Sequence, residues 1–192
     1  MTVTTLNKRD TIVSSALELF AERGFDATTV PMIATSANVG AGTIYRYFEN
    51  KEVLVNTLFQ EYVGTFMKTI EEGFPYHESI RDQFHHLFKN MILFTNQHEH
   101  ALYFIRKHSA GHFLDEQSRE DFTQLLELFS TFFDEGKEKN EIRNLPSKAL
   151  IAILYGAFLE LQNLIRAGEL EPSPELSSGV EESLWDSVRR HT

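Results

Sequence analysis

The chain has 192 residues, 42% of them hydrophobic and 24% charged, enough to bury a core of its own without covalent staples. It has no cysteine, which excludes disulfide frameworks, thiol nucleophiles and cysteine-held zinc or iron–sulfur centres. The net charge of −10 speaks against a polyanionic partner, but residues 1 to 51 carry five basic and five acidic side chains, so the whole excess lies downstream.

The opening stretch, MTVTTLNKRDTIVSSALELF, is amphipathic, and no apolar run approaches about 18 residues. Both points argue against a secretion signal or anchor and lead to an expected cytoplasmic location with no membrane partner. Asn7 can cap a first helix, with Ile12, Val13, Ala16, Leu17 and Phe20 on one face and Gly24 as its stop. A second helix starts at Thr28 or Thr29, tolerates Pro31 in its first turn and lines up Val30, Ile33, Ala34 and Ala37. Asn38, Val39 and Gly40 form a turn, and a third helix follows with Ala41, Ile44 and Phe48 facing inward. Asn50 caps a fourth helix that runs to about Gly73 with Leu58, Tyr62, Phe66 and Ile70 in register, before Pro75 breaks it.

Residues 78 to 97, 99 to 109 and 117 to 139 read as further amphipathic helices, the last two separated by Gly111. Residues 147 to 167 are apolar nearly all round, and such a helix needs neighbours on several sides. Glu171 to Ser178 reads as a loop, and Val180, Leu184 and Val188 as a short closing helix. No strand pattern or internal repeat is evident. The prediction is an all-α fold: a three-helix head over residues 1–50 and a helical bundle over residues 51–192.

Three short helices with a tight turn before the third are what a helix-turn-helix needs to present one helix to the major groove. Gly42, Thr43, Arg46 and Tyr47 point outward from the predicted third helix, with Tyr45 near the boundary of the two faces. Arginine can pair bidentately with guanine, threonine can meet base edges, tyrosine hydroxyls reach phosphate, and Gly42 admits close backbone approach.

The stretch from Gly24 through Asp26, Thr29 and Pro31 to Ala34, followed by Val39-Gly40-Ala41-Gly42-Thr43-Ile44-Tyr45-Arg46-Tyr47-Phe48-Glu49-Asn50-Lys51-Glu52, resembles the DNA-binding head of the TetR family of bacterial regulators. The resemblance implies an all-helical homodimeric repressor of a palindromic operator, whose larger C-terminal region binds a small effector and dimerises. Carried over by position, it places Thr43, Tyr45, Arg46 and Tyr47 at bases and backbone, and Thr28, Thr29 and Lys51 at phosphates. Lys51 would act together with the amides at the start of the fourth helix. The family often has serine and then a basic or polar residue where this chain has Gly40 and Ala41. A capping hydroxyl is therefore lost, and more weight falls on Arg46, Lys51, Lys8 and Arg9.

Other classes compete less well. Di-iron bundles need Glu-x-x-His on two helices, and the nearest imitation is Asp82 with His85. His108 and His112 have the four-residue spacing of a metal pair, but Gly111 intervenes and no carboxylate completes a set. With no phosphate loop or nucleophile motif, neither an enzyme nor a cofactor or metal site is expected. The acidic body disfavours a nonspecific architectural DNA protein.

Phe84, His85, Phe88, Met91, Tyr103, Phe104 and His108 form the candidate effector pocket. Its aromatics offer burial and its polar tips orientation, for a largely apolar molecule with an anionic or hydrogen-bonding group. A dimer interface is expected from Phe122, Leu125, Leu126, Phe129, Phe132 and Phe133 together with Leu154, Ala157, Phe158 and Leu161.

Overall fold

Asn7 caps the first helix through its side-chain carbonyl, which accepts the Asp10 amide at 3.0 Å. This α1 (Lys8–Arg23) ends where Gly24, at φ +84°, returns its amide to the Phe20 carbonyl, a conformation that glycine adopts without strain. The structure is a computed structural model and describes residues 7–191, so the first six residues of the amphipathic opening lie outside the described chain. α2 (Val30–Ser36) and α3 (Ala41–Ile44) follow, and α4 (Lys51–Glu71) starts under the Asn50 cap, whose side chain accepts the Val53 amide at 2.8 Å.

α5 (Ile80–Gln97), α6 (Ala101–His108), α7 (Glu116–Glu138) and α8 (Ser147–Arg166) match the expected segments. Asp115 caps α7 by accepting the Ser118 amide at 2.8 Å. The expected loop at residues 171–178 is largely helix instead, since α9 (Pro174–Val188) begins there with Ser173 accepting the Leu176 amide. A proline in the first turn of a helix forfeits no bond, because that amide has no helical partner. Among the described residues there is no strand, only an isolated bridge between Ile142 and Arg189.

The described chain packs as two units, one of residues up to 65 with 98–122, the other of 66–97 and 123 onward. In the first, α1 packs on α2 and α6, and α2 on α3. Phe20 lies against Phe25 and Phe104, and Lys107 of α6 donates to the Ala21 and Glu22 carbonyls at 3.0 and 2.8 Å. A lysine there satisfies orphan carbonyls and opposes the negative end of α1. Buried Asn56 joins α4 to the start of α7: its amide nitrogen donates to the Phe113 carbonyl at 2.8 Å, while its oxygen accepts from the Asp115 amide and the Ser118 hydroxyl. In the second unit α9 packs on α5 and α8. The buried Glu181 carboxylate is met there by Arg81 at 2.5 Å and His85 at 2.9 Å.

α8 has the length and composition of a bilayer-crossing helix, with a mean hydropathy of 1.4, yet only 17% of its apolar stretch is buried within the chain. Leu150, Leu154, Phe158 and Leu161 face the interior, while Ala152, Gly156 and Ala157 are exposed.

Candidate nucleic-acid interface and effector region

The turn before α3 is built by Asn38, at φ +51°, and by the Val39 amide, which donates to the Ala34 carbonyl at 2.9 Å. Gly40 then starts α3 with no side-chain cap, in line with the lost hydroxyl. The predicted third helix is four residues long and continues as tightened turns, in which Arg46 and Tyr47 donate three residues back to Thr43 and Ile44. Ile44 and Phe48 are buried as the pattern predicted. Tyr45 is not at the boundary of the two faces: it is 54% exposed, more than Tyr47 at 48%.

Gly42 and Arg46 are exposed and Thr43 half-exposed. A Cβ on Gly42 would meet nothing within 4 Å, so the fold does not require glycine at that position. Arg46 has no ion-pair partner among the described residues.

Three expected DNA groups are engaged inside the protein. The Thr28 side chain is fully buried, its hydroxyl bonded to the Gly24 and Leu19 carbonyls at 2.7 and 3.2 Å, so it is not free to meet phosphate. Lys51 donates to the Phe25 and Thr28 carbonyls at 2.8 and 2.9 Å and sits 3.9 Å from the centre of the Phe25 ring. Arg9 pairs with Glu61 and lies over the Phe48 ring. Thr29 is exposed and caps α2, accepting the Met32 amide.

The seven residues expected to form one effector pocket are divided between the two units. Phe84, Phe88 and Met91 are core, Phe84 against Trp185 and Phe88 against Phe158, whereas His85 turns outward to Glu181. Phe104 and His108 are buried in the other unit beside Phe20, and Tyr103 is exposed with Lys107 over its ring. The physical reason is that α6 packs on α1 and carries its aromatics into that core.

A cavity of about 280 Å³ lies elsewhere, between the end of α4, the segment holding Phe74 and Tyr76, Gln83 of α5, and α7. Most of the α7 stripe expected at an interface is covered by its own chain. Leu125, Phe129, Phe132 and Phe133 are buried within the single chain, Phe122 and Leu126 half-buried, with Phe129 beside Phe66 and Phe132 beside Phe84. On α8, Leu154, Phe158 and Leu161 are interior and Ala157 is outside.

The surroundings of His108 predict that the stability of the first unit depends on pH. Its ring is 2% exposed among Phe20, Phe104 and Phe113. Nδ1 donates to the Phe104 carbonyl at 2.9 Å, and Nε2 has no partner among the described residues. Burial is the main cause that pushes its pKa below 6.5. Lys107 acts in the same direction, and the Phe104 bond and Asp26 in the opposite one. His98 is also lowered by burial.

The unfolded chain takes up the His108 proton first, so stability present above about pH 6.5 declines as the pH falls toward the depressed folded value, by up to about 1.4 kcal/mol per pH unit. Urea midpoints measured between about pH 7.5 and about pH 5.5 should show that decline. His108→Phe should flatten it, and an unchanged slope would remove His108 as its source.

A short exposed element after a tight turn, offering Arg46, two tyrosines and Thr43 on a three-helix support, defines a helix-turn-helix regulator. Comparison with known proteins agrees. The family model for bacterial regulatory proteins of the tetR family matches residues 12–58, and that for the tetracyclin repressor-like C-terminal domain matches residues 59–190. The fatty acid metabolism regulator protein of Bacillus subtilis is 44% identical over 61 residues, which are 32% of this chain and 31% of that one. The likeness is therefore to less than a third of that relative. The IcaR negative transcriptional regulator of the biofilm operon in Staphylococcus epidermidis is 25% identical over 131 residues, 66% of either chain. Among solved structures, a TetR family transcription regulator from Marinobacter aquaeolei superposes with a TM-score of 0.76 at 20% identity, covering 96% of both chains. The fatty acid degradation regulator FadR of Bacillus halodurans superposes with a TM-score of 0.69 at 24% identity, covering 95% of this chain and 96% of that one. The chain belongs to the TetR family and is a TetR-type transcriptional regulator.

Proposed function

We propose that this regulator is a repressor: a homodimer holds a palindromic operator and a small effector releases it. Residues 1–50 would read the DNA, and residues 51–192 would dimerise and take the effector. The observation that carries the DNA-binding half is the exposed run from Gly42 to Tyr47, whose outward side chains have no part in the core. The dimer is supported by α8, an apolar helix whose outer side a single chain leaves uncovered. The repressor sense is supported by relatives named as a negative transcriptional regulator and a transcriptional repressor. An effector need supply a coupling of only about 1–3 kcal/mol to weaken operator binding roughly 5- to 150-fold.

DNase footprinting on the DNA flanking the gene tests the reading. The expected result is an inverted repeat with half-sites about 34–36 Å apart, one helical turn. Arg46→Ala should cost about 1–3 kcal/mol at one base position and relax specificity there. Equal affinity for random DNA would end the proposal.

A further inference from the structure

Residues 24 to 53 hold the exposed run and the turns around it, with two basic side chains, Arg46 and Lys51, against three acidic ones, Asp26, Glu49 and Glu52. All three carboxylates are exposed, and none has an ion-pair partner among the described residues. Lys51 is committed to the Phe25 and Thr28 carbonyls, which leaves Arg46 to supply positive charge on this surface. The first helix adds little. Arg9 pairs with Glu61, Arg23 stands at the end of α1 that Lys107 of α6 covers, and Lys8 is exposed near its start. Residues 1 to 6 contain no basic side chain.

Uncharged donors on the same surface are free. Thr29 accepts the Met32 amide and keeps its own O–H, and the exposed Tyr45 and Tyr47 hydroxyls bond to no described group. A separate observation is the placing of the net charge: the excess of ten negative charges lies wholly beyond residue 51, and a dimer doubles it.

We propose that this regulator holds its operator mainly through uncharged hydroxyl donors and base contacts. At most two cations per protomer, Lys8 and Arg46, meet the DNA, so duplex of other sequence neither retains the protein nor guides it to the operator. Nonspecific binding is almost entirely the release of counterions from phosphates that lysine and arginine neutralise, and this surface has few such groups to offer. A hydroxyl bond to phosphate acts only at contact distance, so it forms where the duplex fits the protein and gives nothing on approach. The acidic body opposes a polyanion over a screening length of about 8 Å at about 0.15 M salt. The inference rests on the DNA-binding half of the proposed function and specifies the chemistry of its contacts.

A salt titration of the dimer on the duplex protected in the footprint tests it. Four cations per dimer set a slope of log affinity against log salt no steeper than about −3.6, a loss of up to about 150-fold between about 50 and 200 mM, where six to ten phosphate contacts would lose about 10³–10⁵-fold. A random-sequence duplex of the same length should bind no more tightly than about 10⁻⁴ M at about 0.15 M salt, the weak end of nonspecific affinities. Tyr45→Phe and Tyr47→Phe, both on the exposed surface, should each weaken operator binding about tenfold or more, the worth of a hydrogen bond to a charged group, with the slope unchanged. A loss above about 150-fold, tighter binding of the random duplex, or parental affinity in both tyrosine variants would overturn the proposal. A steep slope together with operator selectivity ends this inference alone, whereas no selective duplex at any salt concentration ends the DNA reading beneath it.

Discussion

A chain carrying Gly156→Arg is expected to fold and to remain monomeric. Gly156 sits in the middle of α8, and a Cβ there meets nothing within 4 Å, so in a single chain the new side chain extends into solvent. The substitution also improves intrinsic helix stability by about 0.5–1 kcal/mol. In the proposed dimer that space belongs to the partner's helix, and an obligate interface buries roughly 2,000 Å² or more. An unpaired guanidinium buried there costs about 3–5 kcal/mol, and about 4 kcal/mol is a thousandfold in dissociation constant. Sedimentation at micromolar concentration checks it, with circular dichroism as the control on folding. A variant that dimerises like the parent would move the interface off this side of α8.

Lys51→Met should destabilise the first unit by about 1.5–3 kcal/mol, the worth of a charged hydrogen-bond donor lost from its carbonyls. Methionine keeps much of the apolar stem, so the loss reports the two bonds to Phe25 and Thr28 and the contact with the Phe25 ring. Family position alone makes a different forecast. A lysine that serves phosphate would leave denaturation unchanged and lower the salt slope of operator binding by about one. Urea denaturation and a salt titration, run on the same variant, distinguish the two, and an unchanged midpoint would return Lys51 to the DNA.

Helix ends governed by local chemistry were legible in the sequence: Asn7, Thr29 and Asn50 cap where their positions predicted, and Gly24 stops α1. The start of α9 was not, because Ser173 and Pro174 carry the same composition in a loop as at the head of a helix. The outward placing of Gly42, Arg46 and Tyr47 was readable because these residues follow one short periodic segment. The roles of Lys51 and Thr28 were hidden, since their acceptors arise from packing between separate segments and not from spacing along one helix. The α7 stripe shows a further limit: periodicity reveals that Leu125, Phe129 and Phe132 need cover but not whether their own chain or a second one supplies it. Asn56 left a faint trace, as a polar side chain between the buried Val55 and Phe59 on α4, but its bonds to Phe113 and Ser118 lie 57 and 62 residues away. Gln83 left a similar one on the apolar face of α5.

The lysine that α6 lends to the end of α1 bears on how such regulators can be recombined. A graft cut at residue 50 would carry the three short helices to a new body but leave behind both Lys51, one residue past the cut, and Lys107. The last carbonyls of α1 and the turn at Phe25 and Thr28 would lose their cations, and Phe20 would lose the Phe104 ring it packs on. The transferable module is discontinuous: a specificity exchange that keeps its fold has to take α6 and the first half of α4 along with the turn proposed to read DNA, or choose a recipient whose own α6 offers a cation and an aromatic ring in the same places.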